Sequence, residues 1–312
     1  MSIPAMRREI ESQPEGLAEI AGRLRKNSIR VPFSRAIFTG SGDSWAAALF
    51  AREIVKGKVT AEDPAELLAS PVLLKNKYIV LISASGRTRA NLELAKKAKL
   101  TAYRTIAVTS NGDSPLARIC HASVTLSYKR ADTLTAGTLS FTASLLACAM
   151  LLRSLPGNLK LQSSLLDAEK WARGVYLNRG GKLLFVGYGV DRALAEYGAC
   201  KAQEVLGLTA FATYPEQVGH AVLFTLNARR DTIVCIDSVG NKKTRGLYNR
   251  LFQSGFRVLK IFLDENDRLT SILAGCFRLQ YMVLLDAERM GQRECAFLKD
   301  RSRLELSNKL IY

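Results

Sequence analysis

The sequence predicts an α/β protein built from two doubly wound, mainly parallel sheets, each flanked by helices in a three-layer αβα arrangement. Three observations carry that expectation. Short β-branched runs alternate with helical patterns, as they do where parallel strands are joined by helical crossovers. A chain of 312 residues is long for a single core and corresponds to about two domains. The two halves also open alike. Ile37-Phe38-Thr39-Gly40-Ser41-Gly42-Asp43-Ser44 enters Trp45-Ala46-Ala47-Ala48, and Leu184-Phe185-Val186-Gly187-Tyr188-Gly189-Val190-Asp191 enters Arg192-Ala193-Leu194-Ala195. Each is an apolar segment passing through Gly-x-Gly into an Ala-rich helix, which points to an internal duplication with a period of roughly 150 residues.

Taken in order, strands are expected at Ala36–Thr39, Tyr78–Ile82, Thr105–Val108 and Ser123–Leu126, with helices at 44–55, 88–99 and 137–152 between and after them. The cluster Arg153-Ser154-Leu155-Pro156-Gly157-Asn158 breaks the pattern and ends the first half. A connecting helix follows over about 161–176. The pattern then restarts with a strand at Leu183–Val186, a helix at 191–206, strands at Thr232–Ile236 and Arg257–Phe262, and helices near 243–252 and 277–290. The expected organisation is an N-terminal helical segment (1–32), a first α/β domain (33–155), a connector (156–176), a second α/β domain (177–298) and a C-terminal tail (299–312).

Hydrophobic content of 48% and a mean hydropathy near zero describe a folded chain. No apolar run approaches the roughly 18 to 20 residues needed to span a bilayer, and the longest, Leu145–Leu152, is read as a buried helix, so no membrane partner is expected. Met1-Ser2-Ile3-Pro4 followed by Arg7-Arg8-Glu9 has no apolar signal region, so the expected location is cytoplasmic. Six scattered cysteines form no C-x-x-C pair, which argues against zinc and redox motifs; no metal or cofactor is expected. The net charge of +17 raises nucleic-acid binding as a reading. The basic residues are nevertheless spread along the chain, as at Lys96, Lys97, Lys99 and Lys242-Lys243, without an interleaved aromatic stretch. An anionic small molecule or a solvated basic surface fits them better.

The segment Ser83-Ala84-Ser85-Gly86-Arg87-Thr88 carries the most chemistry. It follows the apolar run Tyr78–Ile82 and enters the helical pattern at Leu92, so it is a strand–loop–helix junction. Free N–H groups and the positive dipole end at a helix start attract anions, and the hydroxyls of Ser83, Ser85 and Thr88 can add donors. No Gly-Lys-Ser/Thr follows, which excludes a nucleotide P-loop, and a set of hydroxyls suits one small phosphate. The competing reading is an ordinary turn whose hydroxyls cap the helix. Neither Gly-x-Gly copy has the full G-x-G-x-x-G with its distant acidic residue, so NAD is not expected.

These motifs resemble those of the double sugar isomerase (SIS) domain proteins, a family that includes the isomerase domain of glucosamine-6-phosphate synthase and archaeal glucosamine-6-phosphate deaminases. The resemblance runs from about residue 33 to the C-terminus. Ser41-Gly42-Asp43-Ser44 is similar to the family's first loop, Cys/Gly-Gly-Thr/Ser-Ser, whose last serine contacts the sugar phosphate. Residues 83–88 are similar to Ser-Gln-Ser-Gly-Glu-Thr, with Ala84 and Arg87 as departures. Thr109–Ala117 is similar to an Asn-x-x-x-Ser-x-Leu-Ala turn. Residues 132–142 are similar to Glu-x-x-Val-Ala-Ser-Thr-Lys-x-Phe-Thr, with Asp132 in place of Glu and Leu139 in place of Lys. Tyr197–Glu204 is similar to Glu-Gly-Ala-Leu-Lys-Leu-Lys-Glu, with Tyr197 and Gln203 departing. Tyr214–His220 is similar to a segment ending in Glu-x-x-His-Gly, although Glu216 stands one position early and Ala221 replaces the glycine. Lys309 resembles the family's C-terminal lysine.

The resemblance implies two SIS domains, a homodimer, and aldose–ketose isomerisation or deamination of a hexose 6-phosphate of the glucosamine 6-phosphate or fructose 6-phosphate type. Ser44, Ser83, Ser85 and Thr88 would hold the phosphate, with Ser41, Thr135 and Arg87 as further substrate contacts. Glu204 would move the proton between C1 and C2, and His220 would open the ring, reaching a partner subunit's site in family members. The tail would fold over the sugar and bring Lys309 to its carbonyl. Read without the family, Lys201 and Glu204 are three apart on one helical face and could equally form a solvated ion pair; partial burial would tune Glu204 as a base. An imidazole such as His220 titrates near neutral pH, which suits proton transfer; a surface histidine is the plainer reading. The chain starts with no cysteine nucleophile and has no glutaminase-like segment, so transfer of a glutamine amide nitrogen is not expected. The rival function is a sugar-phosphate sensor that keeps the hydroxyl loops without catalysis.

Overall fold

The computed structural model describes residues 1–129, 131, 133–153, 155–156, 159, 161–238, 240–263 and 267–312. Asp132 and the breaker residues Ser154, Gly157 and Asn158 lie outside the described residues.

In chain order the first elements are α1 (Ser2–Glu11), α2 (Gln13–Arg25), β1 (Ala36–Thr39), α3 (Asp43–Ile54), β2 (Thr60–Ala61), α4 (Pro64–Ala69), β3 (Tyr78–Ile82), α5 (Arg89–Thr101), β4 (Arg104–Thr109), α6 (Pro115–Ile119), β5 (Ala122–Thr125) and α7 (Leu139–Leu152). They are followed by α8 (Gln162–Arg173), β6 (Leu183–Val186), α9 (Val190–Lys201), β7 (Ala210–Thr213), α10 (Pro215–His220), β8 (Thr232–Asp237), α11 (Lys242–Gln253), β9 (Arg257–Phe262), α12 (Arg268–Arg289), α13 (Ala296–Lys299) and α14 (Arg301–Ile311). They belong to two compact units that interleave in sequence. A first-sheet unit comprises Glu15–Arg130, Leu139–Asn158 and Arg301–Tyr312, and a second-sheet unit comprises Met1–Pro14, Ala131–Thr138 and Leu159–Asp300.

The first sheet is wholly parallel in the order β2-β1-β3-β4-β5, with Ile37 opposite Ile79 and Phe38 opposite Val80. Its inner strands β1, β3 and β4 are buried on both faces, as crossover helices require. Ile37, Ile79, Leu81 and Ala107 pack with Leu94, Ala95 and Ala98 of α5 on one face. The alternate residues Phe38, Val80, Ile106 and Val108 point the other way. α7 is buried along nearly its whole length, in keeping with the apolar run from Leu145 to Leu152.

The second sheet, β7-β6-β8-β9, is also parallel and repeats the order of the first four strands of the first. The likeness extends to torsion angles. Gly42 before α3 has φ 59° and ψ −127°, and Gly189 before α9 has φ 60° and ψ −128°. Only glycine enters that region at little cost, so the two Gly-x-Gly turns are one conformation used twice.

Some elements differ from expectation. β2 and β7 form sheet edges and are absent from the sequence reading, because β2 has only two residues and the Ala-Phe-Ala-Thr of β7 lacks a run of large apolar residues. The last long helix begins at Arg268 and not near Phe277, because Asp267 caps it, accepting from Thr270 N at 2.8 Å. The 22-residue α12 is thereby long and apolar enough by length and composition to cross a membrane, a feature the shorter expected helix hid. Its most apolar window is 89% buried, packed in its unit against α1, α8 and α9, as a core helix is.

Candidate functional site

In a doubly wound sheet, ligands bind beyond the carboxyl ends of the strands, where the strand order reverses. In the first sheet that point lies between β1 and β3, so the loops after these strands, Gly40–Ser44 and Ser83–Thr88, face the same crevice. Ser44 sits half-buried in the first turn of α3, with its backbone N donating to Ser41 O at 3.1 Å; Ser41 is exposed.

The second loop is pinned from the β4 side. Ser83 N donates to Val108 O at 2.9 Å, Ser110 N and Oγ donate to Ala84 O at 3.1 and 2.6 Å, and Leu116 N donates to Gly86 O at 3.1 Å. Asn91, buried in the first turn of α5, donates to Ile82 O at 3.0 Å and fixes the end of β3. Gly86 has φ +63°, and a Cβ there would lie 2.3 Å from Ser114 Oγ. Gly86→Ala is therefore expected to lower stability by about 2 kcal/mol, read by chemical denaturation, and to distort the hydroxyl loop.

The hydroxyls serve one another and leave the helix start open. Ser83 Oγ lies 3.1 Å from Thr88 Oγ1 and accepts from Gly86 N at 3.1 Å, while Ser85 Oγ accepts from Arg87 N at 3.2 Å. Thr88 is the N-cap of α5, yet its side chain makes no capping hydrogen bond. Capping thus does not explain the Thr88 hydroxyl, and the first-turn N–H groups remain available to an anion.

A pocket of about 580 Å³ adjoins the loop, lined by Ser85, Arg87, Asn111 and Tyr312. α14 buries none of its side chains, but its end reaches this place because Arg89 donates to Lys309 O at 3.0 Å and to Tyr312 O at 3.4 Å. The Lys309 side chain itself is exposed.

The second-sheet unit holds Thr135, Lys201, Glu204 and His220. α9 ends at Lys201 in a π-helical turn, Ala202–Leu206, closed by Gly207 in the left-handed region. Such turns are frequent at functional sites. Lys201 is fully buried and paired with the Glu204 carboxylate, which is 37% exposed. The pair is therefore not a solvated one: the ammonium is inside and the carboxylate reaches the surface. The Lys201 ammonium also lies 5.3 Å from the Tyr197 ring centroid.

Tyr197, a departure from the resembled family, has a defined role. Its hydroxyl donates to Gly137 O at 2.9 Å and accepts from Gln280 Nε2 at 3.0 Å, and Gln13 donates to Gln280 at 2.6 Å. Glu9 holds the same segment, accepting from Thr138 N at 3.3 Å and from Thr135 Oγ1 at 3.5 Å. Glu9, Gln13 and Gln280 carry no local motif, so they stand outside the sequence reading. His220 ends α10, which begins with Pro215 at its first position; its ring is 72% exposed, 3.9 Å from Glu216. His121 is structural, with Nδ1 accepting from Thr105 N at 3.1 Å.

The corresponding point of the second sheet, between β6 and β8, is built differently. Asp191 stands where the first half has Ser44. It is fully buried and accepts from the backbone N of Ser238 at 3.1 Å and from the Ser238 hydroxyl. Burial pushes its pKa up to about 7 against the pull of those two hydrogen bonds. Beside it, buried Asp237 pairs with Arg245 at 2.5 Å. Five of the six cysteines are buried and all are unbridged; burial raises the thiol pKa values of Cys120, Cys148, Cys235, Cys276 and Cys295.

Comparison with known structures agrees with this architecture. The C-terminal domain of glucosamine-fructose-6-phosphate aminotransferase from Francisella tularensis superposes with a TM-score of 0.79 at 19% identity, over 93% of this chain and 97% of that one. Glucosamine-6-phosphate deaminase from Thermotoga maritima gives 0.75 at 18% identity, over 92% and 95%. Tagatose-6-phosphate ketose/aldose isomerase from Escherichia coli gives 0.69 at 16%, over 92% and 93%. No curated protein matches the chain significantly. The chain thus shares the fold of these proteins, and its residues 32–154, which contain the first sheet and both of its crevice loops, match the SIS domain family.

Proposed function

We propose that this protein is a phosphosugar isomerase or deaminating isomerase acting on a hexose 6-phosphate. The observation that carries the reading is the loop Ser83–Thr88. Its hydroxyls and an uncapped helix start lie at the switch point of a parallel sheet, which suits one phosphate. Ser44 supplies a further hydroxyl, with Ser41 and Thr135 as additional contacts. The second sheet, with its repeated strand order and glycine torsions, is read as a second SIS unit.

Glu204 is assigned the proton transfer between C1 and C2, because its carboxylate is accessible while its ammonium partner is buried. Lys201 is a positioning residue that holds this carboxylate. His220 is assigned ring opening, since its exposed imidazole can exchange protons with a ring oxygen, and Lys309 is assigned to polarise the sugar carbonyl. A homodimer in the cytoplasm completes the proposal.

Hexose 6-phosphates are expected to raise the melting temperature, by mass action on the folded state. In deuterated water the accepted sugar should exchange its C2 proton by NMR, with ammonia release separating deaminase from isomerase. Binding without exchange of any sugar would establish the sensor reading in its place. No melting shift with any hexose 6-phosphate would overturn both.

A further inference from the structure

Building on the reading of the Ser83–Thr88 loop as a sugar-phosphate cradle, we propose that Arg87 selects substrates bearing a second anionic group, a carboxylate or another phosphate, beside the first. Three observations point there. The pocket adjoining the loop lies on its β4 side, because Asn111 follows β4, whereas the crevice that holds the loop's phosphate lies on the β1 side. Adjacent strands are about 5 Å apart, so the two places are neighbours that one sugar can bridge. At about 580 Å³ the pocket has the size of a small-molecule site and more room than a phosphate alone needs.

Three of its described lining residues, Ser85, Arg87 and Asn111, can offer donors. Ser85 offers a hydroxyl. Asn111 spends its Oδ1 accepting from Asp113 N at 3.0 Å, which leaves its amide hydrogens to the pocket. Arg87 offers a guanidinium without a hydrogen-bond or ion-pair partner among the described residues. The contrast is Arg89, two residues on, which is engaged with backbone oxygens of Lys309 and Tyr312. A free planar fork beside amide donors, with no acidic side chain among the described lining residues, matches a carboxylate or phosphate in two-point contact. The first phosphate does not require Arg87, because the loop's hydroxyls and the uncapped start of α5 already serve it.

The test is titration calorimetry at fixed ionic strength with two ligand pairs that differ by one anionic group: glucose 6-phosphate against 6-phosphogluconate, and fructose 6-phosphate against fructose 1,6-bisphosphate. The wild type is expected to bind the second member of at least one pair about tenfold more tightly. In Arg87→Gln that ratio should fall to about one. Equal affinities within both wild-type pairs, or an unchanged ratio in the variant, would overturn the role of Arg87 while leaving the cradle intact. If none of the four ligands binds, the cradle reading falls, and the proposal with it.

Discussion

Glu204→Gln is expected to lower C2-proton exchange by at least about 100-fold, the scale of a positioned general base, while the melting shift produced by the same sugar phosphate persists. Glutamine keeps the shape of the side chain and an oxygen that accepts from Lys201, but it cannot take a proton. The substitution also removes the Glu204 charge from beside the buried Lys201 ammonium. A fully buried ion pair loses about 3–5 kcal/mol when one partner is removed, and the partial exposure of Glu204 reduces the expected cost to about 1–3 kcal/mol. Stability and catalysis are therefore separated with a second variant. Lys201→Met combined with Glu204→Gln removes the buried charge together with its partner, and should recover much of the stability without recovering exchange. Exchange at the wild-type rate in the single variant would show that the Lys201–Glu204 pair is structural only.

The fold was legible in the sequence wherever an unbroken run of large apolar residues was followed by a helix with its own signal. Tyr78–Ile82 and Leu183–Val186 are such strands, and the repeated Gly-x-Gly before an Ala-rich helix corresponds to the matching torsions of Gly42 and Gly189. The edge strands β2 and β7 were not legible, because their pairing comes from the sheet and not from any local pattern. The start of α12 was legible but passed over: Asp267 is a capping residue, and Leu269, Ile272, Leu273 and Cys276 follow it at helical spacing. The candidate site divides in the same way. The hydroxyl loop could be found because its donors are consecutive in sequence. The support of Thr135, Gly137 and Thr138 by Glu9, Gln13, Tyr197 and Gln280 could not, because these residues meet only through tertiary folding. Nor did any sequence pattern distinguish Asp191 from a first-turn helix acid facing water, although in the structure it is buried.

That burial makes stability fall as pH rises. Burial pushes the carboxyl of Asp191 up from the ordinary value of 3.8 to about 7 in the folded chain. Burial is the main cause. The neighbouring Asp237 adds to it, and Ser238 and Arg268 oppose it. Below about pH 4 both states are protonated and the group has no effect on stability. Between about pH 4 and pH 7 the folded state keeps a proton that the unfolded chain has released, so deprotonation favours unfolding. The loss accumulates with rising pH to about 4 kcal/mol near pH 7, at about 1.4 kcal/mol per unit, and stays constant above it. Asp191→Asn removes the titration and retains a carbonyl oxygen for Ser238 N and an amide for the Ser238 oxygen. The variant is expected to be about as stable as the wild type at pH 4 and more stable at pH 8, by up to about 4 kcal/mol, in denaturation series across that range. Parallel pH profiles for the two proteins would mean that Asp191 ionises at an ordinary carboxylate pKa and that its ion is well solvated or paired. With the expected divergence, the second Gly-x-Gly turn would carry a neutral acid at pH values where the first carries the hydroxyl of Ser44. The two copies of one conformation would then differ in chemistry at a single position, with a hydroxyl free for an anion in the first and a buried acid turned inward on Ser238 in the second.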